Sequence, residues 1–204
     1  MASRIPRSFL FICGLSILVV SCSNQIKPSD FTRLIDQDRF EDFHQEISVG
    51  EIAYQFKAVP FQYQIVNEFR SDSIEKKLFQ KSAEEMSGAQ YYRLRLMKQS
   101  KDQDILMSFM SSESDYYDRV KYYNEALKDD VILIEGSDTL QPQLYQFVPM
   151  YGVVPYADFL FAFEESGFRD IRKLIYYDRV FNDTILEFEF DYQCFLELPE
   201  IIVY

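Results

Sequence analysis

The C-terminal half of this 204-residue chain is a series of short strand-like runs separated by turn signals. Strand-like runs rich in β-branched and aromatic residues lie at 131–134, 144–148, 159–163, 173–180 and 185–196, and the last of them alternates apolar with polar residues. Successive runs are about 10–14 residues apart, a spacing typical of short strands joined by turns. Turn signals lie between them: residues 135–138 with Gly136, the corner from Pro149 to Pro155, residues 164–168, and Asn182-Asp183. As strands, such runs send successive side chains to opposite faces, and an alternating run puts one side into a core and the other towards water. The expected fold is mostly β, an antiparallel sandwich of immunoglobulin-like architecture. No clean crossover helix separates one run from the next, which argues against a parallel α/β sheet. The side chains suit half-buried sheets: 19 Phe and 15 Tyr, with no Trp.

The N-terminal half mixes helices with strands. Residues 30–45 read as a helix from Phe31, Leu34, Ile35, Phe40 and Phe43, capped by Ser29 or Asp30. Residues 52–58 alternate as a first strand that ends at Val59-Pro60. Residues 73–85 form the next helix, stopped by Gly88. Residues 90–97 are a half-exposed strand with Tyr92, Leu94 and Leu96 on one side, and 105–110 is its expected hairpin partner. Residues 111–126 fit a helix through Tyr116, Tyr117, Val120 and Tyr123, with Ser114 as its cap.

The first 21 residues have the three parts of an export signal. Arg4 and Arg7 are positive, residues 9–20 are apolar and uncharged, and Ser21 is small. Twelve residues span about 18 Å as a helix, well short of a hydrocarbon core of about 30 Å. The run Val19-Val20-Ser21-Cys22 resembles the lipobox of bacterial lipoproteins. That resemblance implies cleavage before Cys22, a diacylglyceryl group on its thiol, and a further acyl chain such as palmitate on the new amine. Two or three chains retain a protein where one holds weakly. Cys13 would leave with the leader. Residues 22–30 then read as a polar tether and 31–204 as one β-rich domain. Ser23, where an Asp would favour the inner membrane, points to the outer membrane.

Without residues 1–21 the chain keeps 19 basic and 33 acidic residues, a net charge of −14. Such a body repels phosphate backbones, which argues against nucleic acid as a partner. It is also expected to stand off anionic headgroups and leave membrane contact to the lipid on Cys22.

Chemistry is sparse. His44, the one histidine, follows Glu41-Asp42-Phe43 and reads as a solvated helix-end residue. Cys194 lies in an alternating run and reads as a small buried hydrophobe, without a nearby histidine to activate it. The pairs Asp102 and Asp104, Asp129 and Asp130, and Glu135 and Asp138 lack calcium-loop spacing. Glu135 and Asp138 are expected to bond turn amides instead. Six scattered glycines leave no phosphate-cradling loop. No catalytic residue, metal ligand or cofactor is assigned. The doublets Tyr91-Tyr92, Tyr116-Tyr117, Tyr122-Tyr123 and Tyr176-Tyr177 put one ring in and one out, so the outer rings are candidates for a binding rim.

Residues 134–140, Tyr145, Tyr151-Gly152, Pro155-Tyr156 and 159–163 resemble the C-terminal half of uncharacterised lipoproteins of Bacteroidetes-type bacteria. That resemblance implies an envelope setting and no mechanism. The expected protein is a membrane-anchored envelope lipoprotein with a non-enzymatic binding or structural role and an envelope protein or glycan as partner. The alternative is a glycan hydrolase or a carbohydrate-binding module.

Overall fold

The computed structural model describes residues 25–37, 43–149 and 152–204. Cys22 and the leader lie outside the described residues. Two antiparallel sheets make up most of the body. The larger has the order β2 (His44–Val49), β3 (Ile52–Val59), β4 (Ala89–Lys98), β8 (Tyr156–Glu164) and β7 (Leu144–Val148). The smaller has the order β10 (Thr184–Phe190), β9 (Arg172–Asp178), β5 (Val131–Glu135) and β6 (Asp138–Leu140). Neither closes on itself, so β2, β7, β10 and β6 are edges. A separate parallel pair joins β1 (Gln25–Ile26) to β11 (Glu200–Ile201).

Alternation sorts the side chains. Along β10, Leu186, Phe188 and Phe190 are buried while Ile185, Glu187 and Glu189 are exposed. The inward rings of the two sheets meet: Phe56 contacts Phe188 at 4.9 Å between centroids, and Tyr92 contacts Phe190 at 5.4 Å. β3 is different because both of its faces are covered. Its outward Lys57 is only 4 % exposed and donates to the carbonyl of Ile35 in α1 (Pro28–Asp36). Helix α1 buries Phe31 and Ile35, while α2 (Phe61–Phe69) buries Ile65 and Val66 beside it.

One buried carboxylate connects the sheets. Asp178, fully buried at the end of β9, accepts the amides of Val180, Phe181 and Asn182 at 3.0, 3.2 and 2.8 Å. Its Oδ2 also accepts the hydroxyl of Tyr54 on β3. Asn182 returns a bond of 2.7 Å to that hydroxyl. The β9–β10 turn is thus folded on one carboxylate and fastened to the opposite sheet.

Several expectations are corrected. The first helix starts at Pro28 after a Lys27 cap and ends at Asp36, and His44 opens β2 rather than ending a helix. Ser29 lies inside that helix and bonds Asp72. Residues 38–42 of the expected helix lie outside the described residues. Residues 25–30, read as tether, belong to β1 and the start of α1. Ile105–Met107 is a 3₁₀ turn, and β4 pairs with β3 and β8 instead. The helix of 111–126 is α4 (Glu113–Glu125), capped by Ser112 with Asp115 in a reciprocal box, not by Ser114. Helix α2 has no counterpart in the sequence reading. With α3 (Lys76–Met86) it links β3 to β4, which are antiparallel despite the helical connection. The final run stops at Phe190, and Gln193–Leu196 is the short helix α5.

Burial raises the pKa of Tyr123, Tyr176 and Tyr92 well above ordinary tyrosine values. The unfolded chain releases these protons near pH 10 while the folded chain keeps them. Their stabilisation is complete below that pH and is lost as pH rises further. In an alkaline titration, phenolate absorbance from these rings is expected to appear together with loss of structure, not before it. Among the described residues Tyr123 is the buried side chain whose hydroxyl has no partner. Tyr123→Phe should therefore leave the urea midpoint unchanged or higher. Tyr54→Phe, which breaks a bond to a buried carboxylate, should cost about 1.5–3 kcal/mol.

Candidate functional site

A cavity of about 290 Å³ opens where the ends of both sheets meet. Its polar floor is built by register. β5 and β9 pair so that Glu135 lies directly opposite Arg172. Both have the parity of their buried neighbours: Glu135 follows Val131 and Leu133, and Arg172 precedes Leu174 and Tyr176. Their side chains are each 2 % exposed and meet at 2.8 Å. Such a pair needs further donors and acceptors to offset desolvation. Gln90 of β4 donates to Glu135 at 2.7 Å and to the Glu164 carbonyl at 2.9 Å. Ser166 donates to the other Glu135 oxygen. Arg172 reaches Glu165 at 3.3 Å and the carbonyl of Phe168 at 3.0 Å. Tyr92 donates to Gln90 at 3.3 Å, and burial raises its pKa.

The mouth is mixed. Arg169 lies 4.2 Å from the Tyr192 ring centroid and bonds Glu165 at 2.8 Å. That bond holds its guanidinium charged. Arg172 approaches the same ring at 5.0 Å. Val59, Pro60 and Phe61 from the β3–α2 junction form an apolar wall with Phe195 and Leu198. The result is a small amphipathic pocket with two guanidiniums on one tyrosine ring and two carboxylates that balance them. Both carboxylates are committed to arginine, so neither is poised as a general acid facing a free base.

The candidate residues of the sequence do not converge here. His44 lines a separate polar hollow with Asp36, Lys57, Arg93 and Arg95. Cys194 is buried on α5, as expected of a small hydrophobe. Asp102 bonds Ser100 and Lys98. Asp104 caps the 3₁₀ turn and accepts from Gly152. Asp129 meets Lys128, while Asp130 meets Tyr122 and Arg179. Asp138 is exposed on β6, where it is the cross-strand partner of Glu135. Glu135 is a core ion-pair partner rather than a turn-amide acceptor. Among the described residues no group of three or more His, Cys, Asp or Glu side chains could hold a metal ion.

Three doublets have one fully buried ring, Tyr92, Tyr123 and Tyr176, whereas in the fourth Tyr116 is half-buried beside an exposed Tyr117. Two of the doublets ride on helix α4 rather than on strands. Their outer rings form no common rim. Tyr91 lines the amphipathic cavity, whereas Tyr116 and Tyr117 line another hollow beside Met107 and Met110. Arg172 and Glu135 were missed as a pair because 37 residues separate them. The readable signal was a charged residue in the buried phase of an alternating strand. Among the described residues no helix is long and apolar enough to cross a membrane. The chain matches no family model, no curated protein and no solved structure.

Truncating Arg172 to Met should cost about 3–5 kcal/mol, because it strands a buried carboxylate. Pairing it with Glu135→Gln should recover part of that loss. Urea unfolding of the two single variants and the double variant checks this, and simple additivity would contradict the coupling.

Proposed function

We propose that this protein is a lipid-anchored component of a bacterial envelope, with a body that binds a partner without chemically changing it. The observation that carries the anchor is Val19-Val20-Ser21-Cys22 behind a twelve-residue apolar run and two arginines. In this reading Cys22 carries the acyl chains and Ser23 favours the outer membrane. The likeness of the C-terminal half to Bacteroidetes-type lipoproteins belongs to the same proposal. The cavity above Arg172 is the binding site, and an envelope protein or glycan supplies the ligand. Commitment of Glu135 and Glu165 to Arg172 weighs against a hydrolase. The carbohydrate-binding alternative is favoured by one observation: Phe61, Tyr91 and Tyr192 bring rings to a polar-floored cavity. For the fold, we read the two sheets as a sandwich of immunoglobulin-like architecture. Support for the sandwich comes from Phe56 against Phe188 and Tyr92 against Phe190.

Intact mass of the protein extracted from its envelope tests the anchor. A mature chain that begins at an acylated Cys22 is expected, and Cys22→Ala should leave the membrane fraction. An unmodified mature N-terminus, or a Cys22→Ala form that stays with the membrane, would sink the proposal.

A further inference from the structure

We infer that one corner of the body, built from β1, the amino end of α3 and residues 200–204, lies against anionic headgroups. This inference rests on the lipid anchor proposed at Cys22. Only Ser23 and Asn24 separate Cys22 from Gln25, at most about 11 Å of extended chain. Gln25 and Ile26 are already paired in β1, so the lipid cannot stray far from this corner. Three segments are knit together there. Ile26 accepts the amide of Ile202, Ile74 accepts that of Tyr204, and Tyr204 accepts that of Lys76 at 2.6 Å. Ser29 bonds Asp72 from the first turn of α1.

Charge on this corner runs against that of the whole. Residues 25–33, 70–81 and 200–204 carry Lys27, Arg33, Arg70, Lys76, Lys77 and Lys81 against Asp30, Asp72, Glu75 and Glu200, a side-chain balance of +2. Arg33 is spent on Asp30, and Asp72 on Ser29. Lys81 lies 3.9 Å from Glu85, and Glu200 takes the side chain of Gln25. Lys27, Arg70, Lys76 and Lys77 are exposed. The rest of the body is strongly acidic, but its repulsion fades over a Debye length of about 8 Å at physiological salt. The near corner therefore decides the contact, and the expectation that the body stands off the bilayer is reversed for this face. Helix α3 suits it: no residue of α3 is buried, and Leu78 is 45 % exposed beside Lys77. Lysines flanking an exposed apolar side chain are the pattern of a helix that rests at a headgroup boundary.

The test uses the full lipidated protein in vesicles of phosphatidylethanolamine with phosphatidylglycerol, and in vesicles of phosphatidylcholine. A fluorophore is placed on Leu78→Cys or on Ile185→Cys, both exposed positions. Cys194 is buried and Cys22 is acylated, so the introduced thiol takes the label. Headgroup spin-labelled lipid should quench the probe at 78 in the anionic vesicles and leave the probe at 185 bright. Lys76→Gln with Lys77→Gln should abolish quenching at 78 while the protein stays with the vesicles. Equal quenching at both positions, or none at 78 with the protein still bound, overturns the orientation and leaves the anchor standing. A protein that lacks acyl mass at Cys22 and separates from the vesicles overturns both.

Discussion

The carboxylate of Asp178 is the constraint on which the two-sheet body depends. A buried charge is tolerable only when surrounded by donors. Here three successive amides and the Tyr54 hydroxyl supply them. The amides come from the β9–β10 turn that Asp178 itself opens and the hydroxyl from the other sheet, so the carboxylate has this full set of donors only when both sheets are in place. Apolar contact between Phe56 and Phe188 brings the sheets together without fixing their relative slide. The hydrogen bonds at Asp178 fix it. Positioned in this way, the starts of β4 and β9 bring Gln90 and Arg172 to one floor.

Much of the sheet content was legible because solvent covers one face. In β10 the alternation of Leu186, Glu187, Phe188, Glu189 and Phe190 is a direct record of which side is wet. β3 was legible as a strand but not as a doubly covered one, since Lys57 reads as exposed until the Ile35 carbonyl takes its ammonium. Helix α2 was hidden by its start. Pro60 and the aromatic residues after it resemble the end of a strand, and the only buried residues are the adjacent Ile65 and Val66. The 3₁₀ turn at Ile105 was read as a strand because its apolar run is too short to show a period.

The cavity was less legible than the fold, for a physical reason. A site built by strand register has its members scattered along the chain, and single-sequence reading sees neighbours only. Glu135 looked like a turn residue because it precedes Gly136, whose positive φ makes the turn. Its environment is set by Arg172, Gln90 and Ser166, which arrive from three other segments. Parity was the available clue: a lone arginine in phase with Leu174 and Tyr176 must find a carboxylate or face inward unpaired.

The pairing of β1 with β11 bears on how the molecule finishes folding. Gln25 and Glu200 stand 175 residues apart in sequence yet bond side by side. Closing so long a loop is entropically slow compared with the hairpins of the sheets. Two residues per strand offer little to hold it before the body has set. The seam at this corner is therefore a late event, made after residues 200–201 have emerged and after the helices beside it have docked.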